Sequence, residues 1–160
     1  MEVVTFLITL AMISAVLYWY NRTNKKVYMS FKEAMDLTEL PVVTFYNGRR
    51  KLNFLLDTGS NNSIINAPVV KKLNCNLKEG TINTFGMTGE EVESATCEIE
   101  LKYKDEVFAG TFVIIDMSEA FDKVKRESGV TIHGILGSKF FQKYKYVLDF
   151  STLAVYLKKR

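Results

Sequence analysis

The sequence predicts a mainly β fold, a closed or nearly closed barrel of short strands with short helices, preceded by one N-terminal transmembrane helix. Three observations predict it. Short apolar stretches with period-two patterning recur at close spacing, with few helical segments between them, which is the pattern of a barrel. Asn47-Gly48, a strong hairpin signal, sits between two of these stretches. The chain also begins with an uninterrupted apolar run from Val3 to Tyr20, VVTFLITLAMISAVLYWY.

As a helix that run would be about 27 Å long at 1.5 Å per residue, close to the hydrocarbon thickness of a bilayer. Tyr18-Trp19-Tyr20 falls where aromatic rings favour the headgroup zone, and Arg22, Lys25 and Lys26 follow at once. A secretory signal peptide carries its positive charges before the apolar run, whereas this chain has Glu2 there and a poor cleavage site at Ile13-Ser14-Ala15. No polar face interrupts the run, which argues against a helix buried in a globular core. Residues 1–20 are therefore expected to be a single-pass anchor in a cell membrane, contacting the lipid bilayer through residues 3–20. The basic flank places the large domain on the cytoplasmic side.

Residues 21–39 read as a basic tether and short helix, and 40–160 as the folded domain. Ser30 and Glu33 form a capping box, after which Phe31, Ala34, Met35 and Leu37 share a helix face. Pro41–Tyr46 and Lys51–Leu56 are the strands flanking Asn47-Gly48. Asn66 and Pro68 open a short helix ending near Leu73. A second hairpin centres on Gly86-Met87-Thr88-Gly89. Ala95, Cys97, Ile99, Leu101 and Tyr103 then alternate with Thr96, Glu98, Glu100 and Lys102, a strand with one wet face. Lys104-Asp105-Glu106 turns the chain into an apolar strand, Val107–Ile115. Ser118–Glu127 reads as a surface helix with Ala120, Phe121 and Val124 inward, and Ser138–Tyr144 as another short helix. Tyr146–Phe150 and Leu153–Leu157 form a last hairpin.

Composition narrows the function. The net charge of +3 is too small, and the basic residues too scattered, to call for nucleic acid as a partner. One His and two separated cysteines supply no zinc-site spacing, so no metal or other cofactor is implied. Cys75 and Cys97 fit either one disulfide or two thiols acting as small apolar residues, which leaves the redox compartment open.

The segment that carries chemistry is Phe54-Leu55-Leu56-Asp57-Thr58-Gly59-Ser60. An ionisable Asp follows an apolar strand directly, and Thr-Gly then turns the chain sharply. Strand burial desolvates the carboxylate, and a residue without a side chain lets backbone amides approach it. About eighty residues later Ile135-Leu136-Gly137 follows Gly134 and precedes a short helix, with the hairpin at Thr84–Gly89 in between. An apolar strand ending in D-T-G-S, a flap-like hairpin, then I-L-G and a helix, in that order, resembles the retropepsin-like aspartic proteases. His133-Gly134-Ile135-Leu136-Gly137-Ser138-Lys139-Phe140-Phe141 looks like a bacterial, single-domain, membrane-anchored branch of that family rather than its viral members. The resemblance covers about Pro41 to Lys158.

The resemblance implies a barrel of the retropepsin-like acid protease type and an aspartic endopeptidase acting on peptide or protein substrates. Asp57 would be the catalytic carboxylate, supported by Thr58, with Gly59 beside it where a side chain would obstruct the substrate. Phe85, Gly86 and Met87 would form a flap over bound peptide, and Ile135, Leu136 and Gly137 would hold the catalytic loop rigid from beneath. The chain has a single D-T-G, and Asp116-Met117-Ser118 and Asp149-Phe150-Ser151 lack the glycine such a loop needs. A homodimer that sets Asp57 against its copy is therefore required. Ser60 would donate to the outer oxygen of Asp57, giving an acidic optimum that Ser60→Ala moves upward. His133, next to I-L-G, reads as structural or exposed. Two other readings use the same residues: a non-catalytic membrane-tethered dimeric peptide-binding module on the same barrel, and a tethered barrel without a groove in which D-T-G and I-L-G are only turns.

Overall fold

The computed structural model describes residues 2–23, 28–85 and 91–158, and the side chains of 2–5, 7–8, 19–23 and 85 lie outside that description. Helix α1 (Glu2–Thr23) forms over the apolar run, and its described side chains from Phe6 to Tyr18 are all exposed. No helix among the described residues is long and apolar enough to cross a membrane, so the expected transmembrane helix is not found there.

Helix α2 (Phe31–Thr38) starts with both halves of the predicted capping box. The Glu33 amide donates to the Ser30 hydroxyl at 3.1 Å, and the Ser30 amide to the Glu33 carboxylate at 3.4 Å. Its buried residues are Phe31 and Ala34, while Leu37, expected on the same face, is exposed. Phe31 joins the main core, and Ala34 packs with Val42, Phe121 and Ile135, so the helix belongs to the barrel domain.

Strands β1 (Val42–Asn47) and β2 (Arg50–Leu56) form the hairpin at Asn47-Gly48, and Gly48 takes the positive φ of +58° that such a turn needs. The chain continues through β3 (Ser63–Asn66), α3 (Ala67–Val70), β4 (Cys75–Phe85), β5 (Glu91–Tyr103), β6 (Glu106–Ile115), α4 (Ser118–Ser128), β7 (Gly134–Leu136), α5 (Ser138–Tyr144), β8 (Tyr146–Asp149) and β9 (Ala154–Leu157). Six strands close a ring in the order β1-β2-β7-β3-β6-β5. The ring is sealed where Tyr46 pairs with Lys102, and β4 pairs with the rest of that edge of β5. Asn47 secures the seam. Its side-chain amide donates to the Asn74 and Glu100 carbonyls, both at 2.9 Å, and its oxygen accepts from the Asn74 amide at 2.7 Å. The predicted barrel is therefore present and closed.

Inside it, Phe45 meets Phe54, Phe108 and Phe140 edge-on, and Phe54 also touches Phe112. Phe45 and Phe54 are fully buried, so this aromatic cluster is the rigid floor on which β2 lies. The final hairpin, β8 with β9, is a separate two-stranded sheet packed on this core.

Two local expectations are corrected. Along β5 the buried positions are Ser94 and Thr96, then Cys97, Ile99 and Leu101, so Ala95 is exposed and Thr96 is not. The alternation reverses between Thr96 and Cys97 because the strand passes there from the flap hairpin into the barrel wall. Its partner β4 bulges at the same level: Leu77 pairs with Cys97 but Thr81 with Ala95, and Gly80 sits at φ +81°. On α4, Phe121 faces the core and Val124 is half-buried, but Ala120 is exposed, since an eleven-residue surface helix buries only a narrow stripe. The cysteines are free thiols, Cys75 half-buried and Cys97 buried.

Candidate active site

Strand β7 is the element that builds the site. It runs parallel to β2, pairing Phe54 with Gly134, Leu55 with Ile135 and Leu56 with Leu136, and antiparallel to β3 on its other side. Only a strand without bulk at its ends fits there. A Cβ on Gly134 would collide with the Ile64 carbonyl and lie 2.7 Å from the Phe54 ring. A Cβ on Gly137 would lie 2.5 Å from the Asn62 carbonyl oxygen and 2.7 Å from that of Ser60. These two glycines let the chain after β2 fold tightly over I-L-G.

Asp57 is the first residue past β2, and its amide extends the ladder by donating to the Leu136 carbonyl at 3.0 Å. The loop then closes on itself, with the Gly59 amide donating to Asp57 Oδ1 at 2.8 Å and the Ser60 amide to the Asp57 carbonyl at 3.3 Å. The far side of the loop is tied to α5, since the Ser138 amide donates to the Ser60 carbonyl at 2.7 Å and the Gly137 amide to Ser63 Oγ at 3.2 Å. Asp57 is half-buried, while Thr58 and Gly59 are exposed. Among the described residues no hydrogen bond reaches Asp57 Oδ2. A Cβ on Gly59 would stand 3.2 Å from Asp57 Oδ1, so glycine keeps the carboxylate uncrowded. The arrangement is a carboxylate on a rigid loop with one oxygen held and the other open, which suits accepting or sharing a proton.

A cleft of about 370 Å3 opens beside this loop, lined by Gly59, Ser60, Asn61 and Asn62, by Asn83 and Thr84 of β4, by Ile64, Val113 and Ile115, and by Lys139. A neighbouring cleft of about 390 Å3 shares Asn62, Val113 and Lys139 with it, whereas the cleft of about 560 Å3 between Asn47, Glu98 and Lys143 does not border the loop.

The structure brings most of the predicted residues together. Asp57, Thr58, Gly59 and Ser60 form the loop, and Ile135, Leu136 and Gly137 lie beneath it. Phe85 ends β4 opposite Glu91, so the flap hairpin has its stem, while Gly86 and Met87 lie outside the described residues. The Ser60 expectation is corrected. Its hydroxyl donates to the Asn62 carbonyl at 2.8 Å and is therefore not available to donate to Asp57. His133 is structural: its Nδ1 accepts the Asn53 amide at 3.0 Å, its own amide donates back to the Asn53 carbonyl, and burial pushes its pKa down. Sequence reasoning missed Ile64, Val113, Ile115 and Lys139, which reach the cleft from β3, β6 and α5. No local pattern marks them, because only the barrel's closure collects them.

The aspartyl protease family profile matches residues 42–140, a span that holds both the Asp57 loop and the I-L-G strand. The chain belongs to the aspartyl protease family. Its domain is retropepsin-like. The EIAV protease complexed with the inhibitor HBY-793 superposes on it with a TM-score of 0.54 and 21% identity, covering 72% of this chain and 97% of that one. The retroviral protease-like domain of Ddi1 from Leishmania major superposes with a TM-score of 0.51 and 12% identity, covering 74% of this chain and 86% of that one. At these identities the two structures speak for the fold of the aspartyl protease domain. No curated protein matches the chain.

Proposed function

We propose that this aspartyl protease family member is an aspartic endopeptidase, active as a homodimer, in which the Asp57 carboxylates of two copies activate a water between them. The observation that carries this reading is the single Asp57, fixed on a loop whose following residues line an open cleft, with one carboxylate oxygen that no described residue bonds. One carboxylate cannot act as both base and acid in the same step. Two brought together by a two-fold axis resist double ionisation and share one proton. The charged member takes a proton from water as that water attacks the scissile carbonyl, and the protonated member hydrogen-bonds the carbonyl oxygen. Thr58, exposed on the loop, would meet the second copy, and the segment between β4 and β5, with Phe85, Gly86 and Met87 in its sequence, would cover the bound peptide. Ser60 belongs to the loop wall of the cleft, and Ile135, Leu136 and Gly137 support the loop from below.

In this proposal the apolar run of residues 3–20 tethers the dimer to a cell membrane, with the barrel domain on the cytoplasmic side. What supports it is the apolar run of the sequence, whose described side chains on α1 find no cover in the barrel. Phe6, Met12 and Val16 are each more than half exposed, and Leu10, Ile13 and Leu17 extend the apolar surface around the helix. Confinement to a membrane would raise the effective concentration of each copy for the other.

The deciding experiment incubates the detergent-solubilised full chain and its Asp57→Asn variant with a mixed peptide library across pH, with a statine-type transition-state mimic as inhibitor. Cleavage by the parent alone, blocked by the mimic, is the expected result. Peptide binding without turnover by either would favour a non-catalytic binding module instead. A reporter fused after Arg160 reads the orientation in the membrane.

A further inference from the structure

The cleft beside Asp57 is graded in chemistry. Ile64, Val113 and Ile115 give it an apolar floor, Asn62 gives it a neutral polar wall, and Lys139 stands at its edge. Among the described lining residues Lys139 is the only charged one, and none is a carboxylate.

Among the described residues no carboxylate pairs with the Lys139 charge. Its ammonium donates to the amide oxygen of Asn62 at 2.8 Å, a neutral acceptor that uses one of its three N–H donors. The ion pairs among the described residues are Lys32–Asp36 and Lys78–Glu98, neither of which involves it. Nor does the local secondary structure call for a cation at this point. Lys139 lies in the first turn of α5, where the aligned backbone dipoles already present positive charge and a basic side chain gains nothing. Its position relative to Asp57 is nevertheless fixed. Its backbone amide donates to the Asn61 carbonyl at 3.4 Å, and the neighbouring Ser138 amide holds Ser60. An exposed cation with spare donors, carried by α5, is thus tied by hydrogen bonds to the loop that presents the carboxylate.

We propose that Lys139 is a specificity-determining residue, selecting substrates with an acidic side chain at the two dyad-related positions that flank the scissile bond. This rests on the endopeptidase reading above. An extended peptide crossing Asp57 continues into the cleft of each copy, where side chains nearest the scissile bond meet the apolar floor and one further out meets Lys139. Because a homodimer supplies Lys139 twice, the preference falls on both sides of the cleaved bond. The favoured substrate is an apolar segment bracketed by Asp or Glu.

The test uses the detergent-solubilised full chain with positional-scanning peptides in which each flanking position carries Glu, Gln or Lys. For the parent, kcat/KM is expected to favour Glu over Lys by about five- to tenfold at one position on each side, falling as salt is raised. Lys139→Glu should reverse that preference, Lys139→Gln should abolish it, and Lys139→Arg should keep it. Lys123→Glu on α4, the same change in net charge away from the cleft, should leave it alone. If Lys139 merely fastens Asn62, its variants alter stability but retain the parent's selectivity, and the proposal falls. An absence of charge preference in the parent overturns it as well. The same peptides are also titrated by fluorescence anisotropy against Asp57→Asn and against Asp57→Asn combined with Lys139→Glu. Acid-selective binding that reverses in the double variant, without turnover by the parent, upholds the site while the endopeptidase reading fails. Binding that ignores charge sinks the site whatever the turnover.

Discussion

Replacing Gly137 with alanine puts the rigidity of the catalytic loop to a direct test. The added methyl would stand 2.5 Å from the Asn62 oxygen, 2.7 Å from the Asn62 carbonyl carbon and 2.7 Å from the Ser60 oxygen. All three are backbone atoms, so no side chain can swing aside. The residue's own backbone is extended, at φ −91°, and contributes no strain. The cost is therefore overpacking, about 1–3 kcal/mol. Two hydrogen bonds would also be stretched, Gly137 N–H to Ser63 Oγ and Ser138 N–H to the Ser60 carbonyl, at about 1 kcal/mol each. A loss of about 3–5 kcal/mol moves a urea midpoint down by about 1.5–2.5 M when the slope is about 2 kcal/mol/M. Because relief requires moving residues 60–62 away from β7, Asp57 shifts with them, and a displacement of about 1 Å costs about a hundredfold in cleavage. Gly110→Ala is the control, since its methyl meets only the Phe112 ring at an ordinary 3.5 Å. It should change stability by less than about 0.5 kcal/mol. Urea titration and peptide cleavage on the full chain read both effects. A Gly137→Ala protein as stable and active as the Gly110→Ala control would refute the idea that I-L-G props the loop.

Ser60→Ala removes a hydroxyl that donates to Asn62 rather than to Asp57, so it should cost about 1 kcal/mol and leave the pH profile of cleavage unmoved. His133 has its pKa pushed down, first by burial and then by the charge of Lys51, so the folded state resists its protonation. Stability is thus fully present above the unfolded value of about 6.5 and falls as pH drops from there through the folded value. Denaturation midpoints from pH 8 downward should show this decline, and His133→Gln should reduce it. The Cys97 thiol is pushed up to about 12, mainly by burial and further by neighbouring Cys75. Mass spectrometry after brief alkylation at about pH 8 should find Cys97 unmodified in the folded chain and labelled once it is unfolded.

The sequence made the fold legible where the determinants are local. Asn47-Gly48 dictates its turn, Ser30 and Glu33 their helix start, and Ser138–Tyr144 forms over the predicted residues. The loop residues of the site were also visible, because D-T-G-S and I-L-G each carry their chemistry within a few positions. What escaped depends on partners distant in the chain. The reversal at Thr96–Cys97 comes from β4 bulging across from it, and nothing in the alternation of β5 alone announces that. The D-T-G-S motif alone points Ser60 at Asp57, yet its hydroxyl turns to the Asn62 carbonyl, which the tight passage under Gly137 brings within reach. Nothing in the sequence of α5 sets Lys139 apart, because its place at the edge of the cleft follows from how the barrel closes.

The three-residue strand β7 has a consequence for how the molecule is made. Its partner β2 leaves the ribosome about eighty residues earlier, and Asp57 has no Leu136 carbonyl to hold it until almost the whole barrel has been synthesised. Pairing across so long a stretch of chain is slow, since the intervening loop must be closed before the contact yields anything. The nascent barrel therefore leaves Asp57 unmounted until β7 docks beside β2, and whatever hydrolytic capacity it acquires waits for that late pairing.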